Sequence, residues 1–243
     1  MSHKQPLLET KGNGTVKSTV DNTLSWKLWH SINYMLGGLL FVSGSFMYYP
    51  SIYPQVDGFV LGGWLFTIGS ANFLFADVTE WLHFKNQSLR AADEENQNKG
   101  FSYKDYELSA NFFFSCIGSF LYLVGSIMFI PATNLLVEGE IVFIVGSLII
   151  FLSQLQKVIR AITSNPNDLS DSTWRYSNVK DDLSGLYVDI FAGLGGLFYL
   201  IGTYLFSQMT NYEDQLRNAT HFFVVGGTFF TLSGLAMQKR YYL

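Results

Sequence analysis

Charge and cysteine are both scarce in this sequence, and each shortage removes a class of explanation. Charged residues make up 14% of the 243, where soluble domains carry about 25%. So little charge argues against a chain surrounded by water. The single cysteine, Cys116, excludes an intramolecular disulfide and any multi-cysteine zinc site. The four histidines are His3, His30, His83 and His221. His30 and His221 open apolar stretches at opposite ends, so they do not form an axial pair for haem. No cofactor is expected. The basic residues form no single patch, which leaves no footprint for nucleic acid. Residues 1–27 lack an apolar core and arginine, so they read neither as a secretory signal nor as a mitochondrial presequence. No nucleophile–base arrangement or phosphate-cradling glycine loop is legible, so no enzyme is expected.

What the sequence does hold is long stretches without charge. Residues 28–56, 58–76, 108–137, 190–212 and 218–238 carry none, and 141–156 is a shorter sixth run between Glu140 and Lys157. Crossing the hydrocarbon core takes about 20 apolar residues in a helix. The shortest run reaches that length if Lys157 extends its ammonium group to the interface. The fold class expected is therefore an all-α membrane protein with six transmembrane helices in three tandem hairpins. Its parts are a tail (1–27), hairpins at 28–84 and 108–160, linkers at 85–107 and 161–186, and a third hairpin with a short C-terminal end (187–243).

Six crossings put both termini on one side. The tail, the two linkers and the C-terminal end hold 14 lysines and arginines, while the three opposite turns hold only Arg217. Basic residues are retained in the cytosol during insertion, so this asymmetry places the termini there. The expected location is the plasma membrane or an endomembrane, with the lipid bilayer and a second copy or another membrane protein as partners.

A repeat underlies these runs. The first helix of each hairpin carries GGLLFVSGS from Gly37, GSFLYLVGS from Gly118 and GGLFYLIGT from Gly195. Glycines recur seven apart as Gly37 and Gly44, Gly118 and Gly125, and Gly195 and Gly202. The second helices read GGWLFTIGS from Gly62 to Gly69 and beyond, and GEIVFIVGS from Gly139 through Gly146. The third copy, GGTFFTLSG from Gly226, exchanges the last pair for Ser233-Gly234. Small residues at this period keep one narrow groove on one helix face, the pattern of close, near-antiparallel packing. Ser45, Ser70, Ser126, Ser147 and Thr203 stand ready to hydrogen-bond across such seams. The competing reading lines a permeation path with the same small polar residues.

The paired arrangement resembles the YrhK-like hairpin domain, most regularly in NFFFSCIGSFLYLVGSIMFIP followed by EGEIVFIVGSLIIFLSQLQKVIR, from Asn111 to Arg160. The resemblance implies a membrane fold built from hairpins, and it implies no particular activity.

Polar residues inside spans are costly unless paired or wet, so they are the candidates for function. His30, Asn33, Asn72, Asn111 and Asp189 all lie toward the cytosolic end and are expected to gather at a polar mouth. Asn72 is expected to be held by a hydrogen bond to another helix. Asp77, Glu80 and His83 have the spacing of half a carboxylate metal site. Without a second half they read instead as a solvated helix end, and no metal is expected. The function expected is a non-enzymatic structural or assembly role. The alternative is a small transporter or channel with its path between the hairpins, which needs polar groups at mid-membrane.

Overall fold

The computed structural model describes residues 24–94, 103–163, 180, 183–208 and 212–243, with side chains over 24–83, 109–163, 180, 183–208 and 213–243. The tail up to residue 23 and much of both linkers lie outside the described residues. Six long helices carry the fold: α1 Leu24–Met47, α2 Gly58–Glu94, α3 Tyr103–Met128, α4 Leu136–Thr163, α5 Leu183–Ser207 and α6 Tyr212–Tyr242. α2 runs past the hairpin boundary expected at 84, and α3 begins before 108. No strand occurs among the described residues. The α1–α2 turn holds a one-turn helix, Tyr53–Val56, and the α3–α4 turn a 3-10 turn, Pro131–Thr133. Asp57 (φ 49) and Asn134 (φ 54) end these pieces in the left-handed region, which short polar side chains tolerate best after glycine.

Each long helix packs on its two neighbours, in the order α1–α2–α3–α4–α5–α6, and α6 returns to α1. The result is a closed ring of antiparallel helices. Glycines set the spacing. A methyl group placed on Gly44 would meet the Gly62 carbonyl, and one on Gly62 would meet the Gly44 carbonyl; one on Gly69 would meet the Gly37 carbonyl, and one on Gly37 the Phe73 ring. Gly125 with Gly139 and Gly118 with Gly146 repeat the reciprocal contact, a methyl on Gly226 would meet the Gly195 carbonyl, and Gly202 lies against Phe222 and Phe223. A second set seals the remaining seams. Gly63 meets Ile130, just past the end of α3, and Gly196 meets Ile150 and Phe151 on α4. Gly38 and Gly227 join α1 to α6. In each double glycine from Gly37, Gly62, Gly195 and Gly226, the first residue serves the seam within a helix pair and the second the seam to the next pair.

The exchange at Ser233-Gly234 follows from this division. Gly234 lies against the Met35 backbone of α1, where a methyl group would come within 2.7 Å of Cα. Ser233 takes the other seam and donates to the Val188 carbonyl at 2.8 Å.

The interior is stacked in layers seven residues apart. The central layer is Phe41, Phe66, Tyr122, Phe143, Tyr199 and Phe230, each four residues after a repeat glycine and each at most 2% exposed. Ring centres stand 4.3 Å apart for Tyr122 and Phe143, 5.1 Å for Phe41 and Tyr199, and 5.7 Å for Tyr199 and Phe230. Tyr48, Phe129, Phe206 and Phe223 form the layer beyond, and the rings there leave no space that would hold a water molecule. The middle of the ring is packed with aromatic rings.

Among the described residues, five helices, α2 through α6, are long and apolar enough to cross a membrane. The expectation that 141–156 would be the weakest crossing is corrected, because α4 is the most apolar of the five and α1 is the helix that falls short. Much of α1's polarity lies on its inward face, where His30, Ser31, Tyr34, Gly37, Gly38 and Ser45 are buried, and Asn33 and Ser43 add to it outside that face. Its outward face resembles the others, with Leu24, Leu28, Trp29, Leu36, Leu39 and Phe46 exposed.

Candidate functional site

The seven-residue register that places aromatics at the centre continues toward the tail end of the ring. On α2 it runs Phe59, Phe66, Phe73, Glu80, and on α4 it runs Leu136, Phe143, Ile150, Lys157. Glu80 and Lys157 therefore face inward, and their side chains meet at 3.6 Å with exposures of 24% and 11%. The Lys157 ammonium also lies 5.0 Å from the centre of the Phe112 ring. This corrects both sequence expectations: Glu80 is not a solvated helix end, and the Lys157 ammonium turns to Glu80 within the ring rather than extending outward. A long flexible cation with a carboxylate in reach turns to it instead of to water.

Around the pair stand further polar groups. Asp77, 7% exposed, accepts a hydrogen bond from the Ser119 hydroxyl of α3. Asp189 on α5 lies within electrostatic range of Lys157. Asn111 donates through Nδ2 to the Ser153 carbonyl at 2.9 Å and to Gln156 Oε1 at 3.1 Å. Ser115 and Ser153 share a hydrogen bond of 2.8 Å. His30 is 1% exposed, and its Nδ1 bonds the Tyr241 hydroxyl at 2.9 Å. Trp26 lies between two imidazoles, with ring centres 5.1 Å from His30 and 4.1 Å from His83. That contact ties the start of α1 to the end of the apolar part of α2.

Three of the residues expected at a polar mouth, His30, Asn111 and Asp189, thus lie at the tail end of the ring with Glu80 and Lys157. Asn33 and Asn72 do not join them. Asn33 donates to the Trp29 carbonyl at 2.7 Å, and Asn72 to the Ile68 carbonyl at 2.8 Å, both within their own helices. The expected bond from Asn72 to another helix is therefore corrected to one within α2. The omitted members, Asp77, Glu80 and Lys157, carried a readable signal. Glu80 follows Phe66, and Lys157 follows Phe143, by two heptads, so the register already turned both inward.

This arrangement suits charge pairing better than metal binding. Among the described residues, no three His, Cys, Asp or Glu side chains converge as metal ligands. Asp77 turns to Ser119, while His83 stacks on Trp26. Of the expected seam hydroxyls, Ser45 and the Tyr199 hydroxyl share a bond of 2.9 Å, and Ser147 donates to the Tyr122 hydroxyl at 3.0 Å. Ser70 and Ser126 join α2 to α3 at 3.0 Å. Thr203 is fully buried, and its hydroxyl has no hydrogen-bond partner among the described residues.

Residues 25–83 match the family model described as YrhK-like protein. The match covers the α1–α2 pair, although the Gly-Ser spacing reads most regularly in α3–α4. No curated protein and no solved structure matches the chain.

Proposed function

The chain carries a YrhK-like domain in its first helical pair, and from that premise we propose a non-enzymatic, multi-pass membrane protein with a structural or assembly role. It crosses the bilayer six times as three hairpins of one ancestral kind, with both termini in the cytosol. The equivalent glycines and central aromatics of the three pairs support common descent. The apolar outward face of α1 supports counting it as a crossing, because lipid meets only that face. The 14-to-1 distribution of basic residues supports the orientation.

The single observation that carries the structural role is the plug of six aromatic rings at mid-membrane. A transport path needs polar groups or an opening at that depth. The ring offers Phe41, Phe66, Tyr122, Phe143, Tyr199 and Phe230 instead. A second reading, a small transporter, draws support from Glu80, Lys157, Asp77 and Asp189 behind the plug, since ionisable groups inside a membrane commonly mark ion or proton pathways. Reconstitution in liposomes separates the two. The scaffold reading expects proton and alkali-cation flux equal to that of empty vesicles. Flux abolished by Asp189→Asn or Glu80→Gln would replace it with the transporter reading.

A further inference from the structure

The two amides that the ring turns away from its interior stand together. Asn33 lies one helical turn before Gly37, and Asn72 about one turn after Gly69, the two glycines that face each other across the α1–α2 seam. Each lies about one turn toward the tail end from those glycines and is half-buried, which by helical register puts both at one level beside that seam. Exposed Trp29, Leu36, Ile68 and Phe75 flank them. Asn72 is six residues and Asn33 eight residues from the central layer of their helices. At about 1.5 Å per residue, that is roughly 9 and 12 Å from mid-membrane, inside a hydrocarbon half-thickness of about 15 Å.

A carboxamide has two donors and an acceptor oxygen. Each amide spends one donor on its own helix, and no other helix among the described residues bonds to either. Exposed Ser43 and Thr228 differ. Each has a single donor, spent on the Leu39 carbonyl at 2.9 Å and the Val224 carbonyl at 2.8 Å respectively. Of these four residues, Asn33 and Asn72 are the two with an unspent donor, and lipid tails cannot accept it.

We propose that this seam carries a self-association surface, on which two copies of the chain dock α1–α2 against α1–α2 through Asn33 and Asn72. A second copy is the fitting occupant because the patch presents donors and acceptors together, so a twofold axis makes it complementary to itself. Asparagine between membrane helices is a recognised source of such hydrogen bonds. The proposal rests on the membrane reading and names the partner for the structural role.

The test counts subunits of the full-length protein in liposomes by single-molecule photobleaching across a range of protein-to-lipid ratios. Wild type is expected to be dimeric. Asn33→Leu/Asn72→Leu is expected to raise the dissociation constant on the order of tenfold, while Ser43→Leu/Thr228→Leu leaves it unchanged. In a Cys116→Ser background, Leu36→Cys is expected to crosslink between copies and Val225→Cys, on α6, is not. A wild-type monomer at every ratio overturns the proposal, as does a dimer that the leucine pair leaves intact. Flux in the liposome assay would overturn the structural role without altering the subunit count, so the two failures are distinguishable.

Discussion

Glu80 of α2 and Lys157 of α4 meet at 3.6 Å inside the ring, although α3 stands between their helices. Each sits two heptads beyond a central phenylalanine, so a charged pair occupies positions that hold aromatic or aliphatic side chains elsewhere in the register. Taking such a pair out of water is costly, and breaking it by removing one partner costs more still.

Glu80→Gln should therefore lower stability by about 3 kcal/mol, because Lys157 is left without its counter-charge. Glu80→Gln combined with Lys157→Met should recover most of the loss. Thermal unfolding of the purified protein in detergent measures both. A double variant no more stable than the single one would show that the pair is not a coupled unit.

Two alanine substitutions separate the seams. At Gly38 the added methyl would come within 2.5 Å of the Thr231 backbone nitrogen, which cannot move aside. At Gly125 it would come within 3.1 Å of the Phe143 ring, which can shift slightly. Gly38→Ala should cost about 2–3 kcal/mol, at the upper end for overpacking, and Gly125→Ala less than about 1 kcal/mol. Equal melting temperatures for the two variants would remove backbone approach as the cause.

Two tyrosines should respond oppositely to loss of the hydroxyl. Tyr199 shares a bond with Ser45 at 2.9 Å, whereas the buried Tyr48 hydroxyl has no partner. Tyr199→Phe should destabilise by about 0.6 kcal/mol, the average for hydrogen bonds between membrane helices. Tyr48→Phe should be neutral or stabilising by up to about 1 kcal/mol, since an unsatisfied group is removed. The melting temperatures of the two variants should move in different directions or differ clearly in size.

Access to the charged cluster should be one-sided. Asp189→Cys in a Cys116→Ser background should react with a water-soluble thiol reagent supplied from the tail side of sealed vesicles. The same reagent on the opposite side should not reach it through the aromatic plug. Labelling from both sides would contradict a closed centre.

The helical class, the apolar runs and the glycine repeat were legible in the sequence because each is local: charge-free length and seven-residue spacing depend on one helix at a time. The inward register was equally legible, and it would have turned Glu80 and Lys157 toward the interior. Reading those residues singly, as a solvated helix end and an interfacial lysine, missed them. α1 was harder to judge, since most of its polar residues are buried on the inward face, while Asn33 and Ser43 interrupt an outward face that is otherwise apolar. Only the tertiary structure decided which helices meet. Whether Asn33, Asn72, Asn111 and Asp189 share one mouth depends on how each helix is rotated within the closed ring. That rotation is set by glycines on both sides of α1, α2, α5 and α6 and between α3 and α4, and it sends Asn111 and Asp189 to the charged end but leaves Asn33 and Asn72 on the outer edge. The Ser233-Gly234 exchange has the same cause, because the glycine is needed where α6 closes on α1, a contact between the two ends of the chain that no local pattern contains.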